Sequence, residues 1–303
     1  MGIVFDEPVN SALPCPPLPP FPPPLALSGR ERPKVLILDT GLSTLRCGAG
    51  PAHPYLRDAV VIHADWRDDL DPFAVDDEDE ADADADRRLD LQSGHGTFIV
   101  GLIRRLCPDA EIHVDGVLSG LTESEDDVIG LGIERAARRT GPRGPDIVVM
   151  SLSAYTDDDR PPPLVRWIRA HLADALIVAS AGNNGSTRPS FPAALPEVVA
   201  VGALDGNGRA PFSSYGSWVD ACAPGVNVVS TFFTHFDEDV LGFSRRFRGW
   251  ARWSGTSFAA PKVAAAIAQR MYLRGCSARE AWAQLSSWQR ARHPDLGVVF
   301  NIA

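Results

Sequence analysis

Lysine is nearly missing from this 303-residue chain: Lys34 and Lys262 are the two present, and the rest of its 29 basic side chains are arginine. Thirty-nine acidic residues leave a formal net charge of -10, so the surface offers no broad cationic field. That excludes nucleic-acid backbone binding as a general function. No run of about 18 apolar residues occurs, which removes a membrane-spanning helix. The N-terminal residues lack the basic-then-apolar pattern of a signal peptide. Five cysteines (Cys15, Cys47, Cys107, Cys222, Cys276) are scattered without CxxC spacing and cannot all pair within one chain. This argues against a zinc knuckle or a disulfide scaffold, and for a reducing compartment, with cytoplasmic residence as the expectation.

What is present is ordinary for a globular protein: 45% apolar and 22% charged residues. Residues 14 to 24 carry eight prolines. Such a stretch favours extended polyproline II, so residues 1–33 read as a Pro-rich extension or linker, with a recognition or self-inhibiting strap as the sharper alternative. From Lys34 the pattern alternates. "KVLILD", "EIHVDGVL", "DIVVMSLS", "ALIVASAG" and "EVVAVGAL" are continuous apolar runs of strand length. Between them, "HGTFIVGLIRRL", "ESEDDVIGLGIERAARR" and "PPPLVRWIRAHLAD" have helical spacing. Strands of this kind separated by helices predict one α/β domain over residues 34–303, a three-layer sandwich with a mostly parallel central sheet. Two biased segments interrupt it. Asp76 to Asp86 is densely acidic, and Arg245 to Arg252 is basic and aromatic. Each reads first as a solvated loop, and second as a surface for a charged regulatory partner or for a mutual gate.

The chemistry starts at "WSGTSFAAPKVAAAIAQRM". Ser257 sits at the mouth of an Ala-rich helix, where unpaired backbone N–H groups favour negative charge. Pro261 suits a first turn, in which its missing N–H has no intrahelical acceptor. Taken alone, the serine could be a helix cap. A base to activate it is His95 in "SGHGTFIVG", flanked by glycines. An orienting acid is Asp39, the last residue of "KVLILD", at the carboxyl end of a strand where open parallel sheets collect their binding groups. Asn183 in "SAGNNG" could join the Ser257 backbone N–H as a donor to an oxyanion.

Together, "VLILDTG", "GHGTFIVG", "SAGNNG" and "SGTSFAAPKVA" resemble the aspartate, histidine, oxyanion-asparagine and serine blocks of the subtilisin-like serine proteases, in that family's chain order. The likeness runs from about Lys34 to about Leu285. It implies a subtilisin-like fold and a serine endopeptidase working through an acyl-enzyme, with no cofactor. Ser257 would be the nucleophile, His95 the general base, Asp39 the orienting carboxylate and Asn183 the oxyanion donor. By the same resemblance Ser151, Leu152, Ser153 and Ala154, with Ala179, Ser180, Ala181 and Gly182, would line the cleft for a polypeptide substrate.

The chain departs from the family pattern at several positions. Ser153 and Ala154 stand where two glycines are common, which would reshape the pocket for the residue before the scissile bond. Phe258, Lys262 and Ala265 replace the usual methionine, histidine and glycine. The connection from the His95 helix to the next strand is too short for the ion-binding loop of calcium-dependent relatives, so no metal is expected there. The acidic segment could hold Ca²⁺ but lacks the spacing of a known loop. Competing readings are an aspartic protease, which needs a second DTG that the chain lacks, an inactive protease-fold scaffold, and a ligase or esterase using the same serine.

Overall fold

The computed structural model describes residues 2–3, 12–44, 51–61, 79–119, 124–240, 243–287 and 291–302. Asp76, Asp77 and Glu78 of the acidic segment lie outside the described residues. The five predicted strands form as β1 (Lys34–Asp39), β3 (Glu111–Gly116), β4 (Ile147–Met150), β5 (Leu176–Ser180) and β6 (Val198–Asp205), joined by two not read from the sequence, β2 (Val60–Val61) and β7 (Ala221–Pro224). Two later strands, β8 (Val228–Thr231) and β9 (Trp250–Trp253), pair antiparallel outside this sheet, and β10 (Gly297–Val299) rejoins it. The main sheet runs β10-β7-β6-β5-β4-β1-β3-β2, every one of these neighbours parallel.

Successive side chains of a strand point to opposite faces, and here both faces are apolar. Val35 and Ile37 enter one core with Val149, Val178 and Val201, while Leu36 and Leu38 enter the other with Val148, Met150 and Ile177. Helices α1 (His95–Leu106) and α4 (Ala260–Arg274) cover the first face. Helices α2 (Asp126–Arg139) and α3 (Leu164–His171) cover the second. Helix α5 (Ala278–Ser287) packs on α4. The three-layer arrangement therefore follows from the two-sided apolar strands. In α4, Pro261 occupies the first turn and Gly275 closes the helix in a left-handed conformation, its N–H bonded to the Met271 carbonyl at 2.7 Å.

Strand β1 lies between β3 and β4, so the chain leaves it in both directions. The carboxyl end of such a switch strand opens a crevice between diverging connections. Asp39 is the residue that ends it.

The Pro-rich segment is not detached. Leu13 and Pro14 form a strand that pairs antiparallel with Ala251 and Arg252 of β9. Phe21 stacks on Tyr55 at 5.1 Å and meets the edge of Trp250 at 5.9 Å between ring centroids. Further on, the Leu25 and Ala26 N–H groups donate to the Asp109 carboxylate at 2.9 Å each, and the Leu27 N–H donates to the Tyr272 hydroxyl at 2.6 Å. The basic segment is likewise not a loop. Phe243–Phe247 pairs antiparallel with Phe236–Val240, and the remainder forms β9. Arg245 is paired with Glu238 at 2.5 Å and Arg248 with Asp237 at 2.6 Å, so two of the arginines expected to reach for the acidic segment are held by carboxylates of their own hairpin.

Candidate active site

At the end of β1, Asp39 is fully buried and accepts two hydrogen bonds on Oδ1: from the Thr40 N–H at 2.8 Å and from His95 Nδ1 at 2.7 Å. His95 is the first residue of α1. The turn before it requires Gly94, whose φ of 82° lies in the left-handed region and whose absent Cβ leaves room for the Phe232 ring. Gly96 N–H donates to the Thr40 hydroxyl at 3.0 Å, which ties the helix start to the residue after Asp39. The carboxylate thus fixes the tautomer in which Nδ1 carries the proton and Nε2 is the basic nitrogen. Trp253 stands edge-on to the imidazole at 5.5 Å and Phe258 at 5.3 Å, so the ring is boxed by aromatic side chains.

Ser257 lies in one turn of 3-10 helix, Thr256–Phe258, between β9 and α4. Its neighbour Phe258 also packs on His95, which brings the Ser257 turn against the imidazole. The Ser257 hydroxyl is 3.5 Å from the Ser151 carbonyl, the outer limit of a hydrogen bond, so its side chain is weakly held and no bond to His95 is made in this state. The Ser257 carbonyl, in return, accepts the Ser151 hydroxyl at 3.0 Å. The structure therefore joins Asp39 and His95 directly, and places Ser257 on the adjoining turn with the last link open.

Asn183 follows β5. Its side-chain oxygen accepts the Thr256 N–H at 2.8 Å and the Thr256 hydroxyl at 2.9 Å. Since that end of the amide is committed to donors, the NH₂ end is directed away from Thr256. It lies 3.5 Å from where a Cβ on Gly255 would sit, ordinary van der Waals contact. The expected substrate-lining residues Ser151–Ala154 and Ala179–Gly182 run along and beyond the carboxyl ends of β4 and β5. Several of them use their backbone groups internally: Ala179 and Ser180 pair within the sheet, the Ala181 N–H donates to the Val201 carbonyl at 2.9 Å, and Ala154 and Gly182 are held as well. Ala154 exchanges hydrogen bonds with Phe191 at 2.8 and 2.9 Å. Gly182 donates to the Thr256 hydroxyl at 3.2 Å and accepts from the Ser214 N–H at 2.8 Å. These two shape the cleft wall rather than pair with a peptide.

Sequence reasoning missed Thr256, Thr40, Trp253 and the buried acid Asp79. Thr256 was within the quoted serine block, and its role becomes visible only once Asn183 is beside it. Among the described residues, Asp82, Asp84 and Asp86 each bring a carboxylate oxygen within 4.8 Å of the others, a group that could admit a hard cation. The backbone N–H groups of Asp86, Arg87 and Arg88 already donate to these carboxylates.

The model of the subtilase family matches residues 30–284. The chain is 31% identical over 252 residues to an alkaline protease of Alkalihalobacillus alcalophilus, covering 78% of this chain and 53% of that protein. It is also 31% identical over 252 residues to subtilisin BL of Lederbergia lenta, covering 78% and 74%. It thus spans about half the length of the first relative and about three quarters of the second. A crystal structure of a cold-adapted subtilisin-like serine proteinase superposes over 100% of both chains with a TM-score of 0.64 at 18% identity, which shows the shared fold. The chain belongs to the subtilase family.

Proposed function

We propose that the protein is a serine endopeptidase acting through an acyl-enzyme. The observation that carries this reading is the buried 2.7 Å hydrogen bond between Asp39 and His95, set against the turn that presents Ser257. Rotation of the loosely held Ser257 side chain toward His95 Nε2 closes the relay. The hydroxyl then attacks the peptide carbonyl while the imidazole takes its proton, and Asp39 stabilises the imidazolium that results. Negative charge on the tetrahedral carbon's oxygen rests between the Asn183 NH₂ and the Ser257 N–H. Returning the proton to the departing amine frees the first product, and water repeats the sequence on the acyl-enzyme. Substrate lies extended beside Ser151–Ser153 and Ala179–Ala181.

Free Cys15, Cys107, Cys222 and Cys276 support a reducing, cytoplasmic setting. A regulatory partner would meet the exposed carboxylates of Asp84 and Asp86 and the exposed Arg246, since Arg245 and Arg248 are already paired. Two assays test the function. Wild-type chain should label with a fluorophosphonate probe and cleave members of a peptide library, insensitive to pepstatin, and Ser257→Ala should do neither. Cleavage that survives Ser257→Ala would overturn the assignment.

A further inference from the structure

One buried acid beside the site has no part in that mechanism. Asp79 is 4% exposed, and its N–H donates to the carbonyl of Leu42, three residues beyond Asp39, at 3.2 Å. Its Oδ1 accepts the Gly94 N–H at 2.9 Å, and its Oδ2 takes a long contact of 3.4 Å from the Thr97 hydroxyl. Both donors belong to the start of α1, on either side of His95. Gly94 is the capping position of that helix and has no side chain with which to satisfy the free N–H groups there. Asp79, fifteen residues earlier in the chain, accepts from the N–H of the capping residue itself, the bond that the third residue of a helix makes in a capping box, with its negative end toward the positive end of the helix.

We propose that Asp79 is a positioning residue for the catalytic imidazole: by holding Gly94 and Thr97 it fixes the first turn of α1, and so the angle at which His95 meets Asp39. The inference rests on the protease reading given above. It explains why an acid is kept in a dry place. Burial pushes the Asp79 carboxyl up to about 7, the Gly94 N–H pulls against this, and the neighbouring Asp39 adds to it. The titratable groups facing Asp79 are Asp39 from β1 and His95 from α1, with Thr40 as a neutral donor.

The test compares kcat and KM for the full-length wild type, Asp79→Asn and Asp79→Ala, on a fluorogenic peptide taken from the library. Asp79→Ala should lower kcat by about 10- to 100-fold with KM within about twofold, as expected for a displaced general base. Asp79→Asn keeps an acceptor oxygen for Gly94 and should recover most of kcat. A wild type that labels with fluorophosphonate, combined with an Asp79→Ala variant of unchanged kcat, overturns this inference alone. A wild type that neither labels nor cleaves removes the protease reading and this inference with it. Should Asp79→Ala not fold, Asp79→Asn decides: a loss of kcat above about tenfold with the acceptor retained overturns the proposal.

Discussion

Asn183 is held by its oxygen, and the holder is the residue next to the nucleophile. Two donors from Thr256 meet that oxygen, while the same hydroxyl accepts from Gly182. Thr256→Val removes the hydroxyl but leaves the backbone donor, so the amide oxygen loses one of its two Thr256 donors. We expect kcat to fall about tenfold with little change in KM, as for an interaction that matters at the transition state. Asn183→Ala should cost more, since loss of one such donor in subtilisin itself lowers turnover by about 10²–10³. Steady-state kinetics on one peptide measures both.

Lys262 gives a stability prediction with a defined sign. It is buried in α4, its ammonium contacts the Ile302 carbonyl at 3.4 Å, and burial pushes its pKa down to about 8. The unfolded chain therefore binds this proton more readily than the folded one. The penalty is complete below about pH 8 and fades as pH rises toward 10.5. Lys262→Met should raise unfolding stability by about 1–3 kcal/mol at pH 7, and the gain should shrink by pH 10.5. Chemical denaturation at the two pH values checks it.

At the scale of elements, the Pro-rich segment is a working part of the fold. It adds a strand to β9, the strand that leads into the Ser257 turn and ends at Trp253 beside His95. A self-inhibiting strap would be activating when removed, whereas this one should not be. Deletion of residues 1–33 is expected to lower both the melting temperature and the rate of fluorophosphonate labelling. The milder Phe21→Ala, which empties a place between Tyr55 and Trp250, should cost about 1–2 kcal/mol. Higher labelling after deletion would return the strap idea.

The same elements show what could be read beforehand. β1, β3, β4, β5 and β6 were legible because a strand buried on both faces must be apolar without interruption, and the meeting of Asp39 with His95 was legible because their small neighbours travel with them in short blocks. The docking of the tail was not, because Asp109, Tyr272 and Trp250 are remote in the chain and none announces an extended partner. The Arg245 hairpin looked like a basic loop because Asp237 and Glu238 precede the arginines by several residues, beyond the window in which charge runs are read. Asp79 was hidden for a different reason. It stands among many solvated acids, and nothing in composition separates the one that is buried.

Over the whole molecule, the proposed reacting groups come from positions 39, 95, 183 and 257, each at the mouth of a different strand or helix. No local segment carries the site, so activity should report global folding. Fluorophosphonate labelling and far-UV circular dichroism are expected to share one midpoint in a urea titration. Labelling lost well before the secondary structure would show that the Ser257 turn melts on its own.

The placement of the serine turn after β9, late in the chain, also sets a clock on synthesis. While the ribosome is still making β4 to β8, the acid and the base can already have met, yet there is no hydroxyl for them to act upon. On the proposed mechanism, a nascent chain that stops short of β9 carries the acid and the base without the serine, and cannot form an acyl-enzyme.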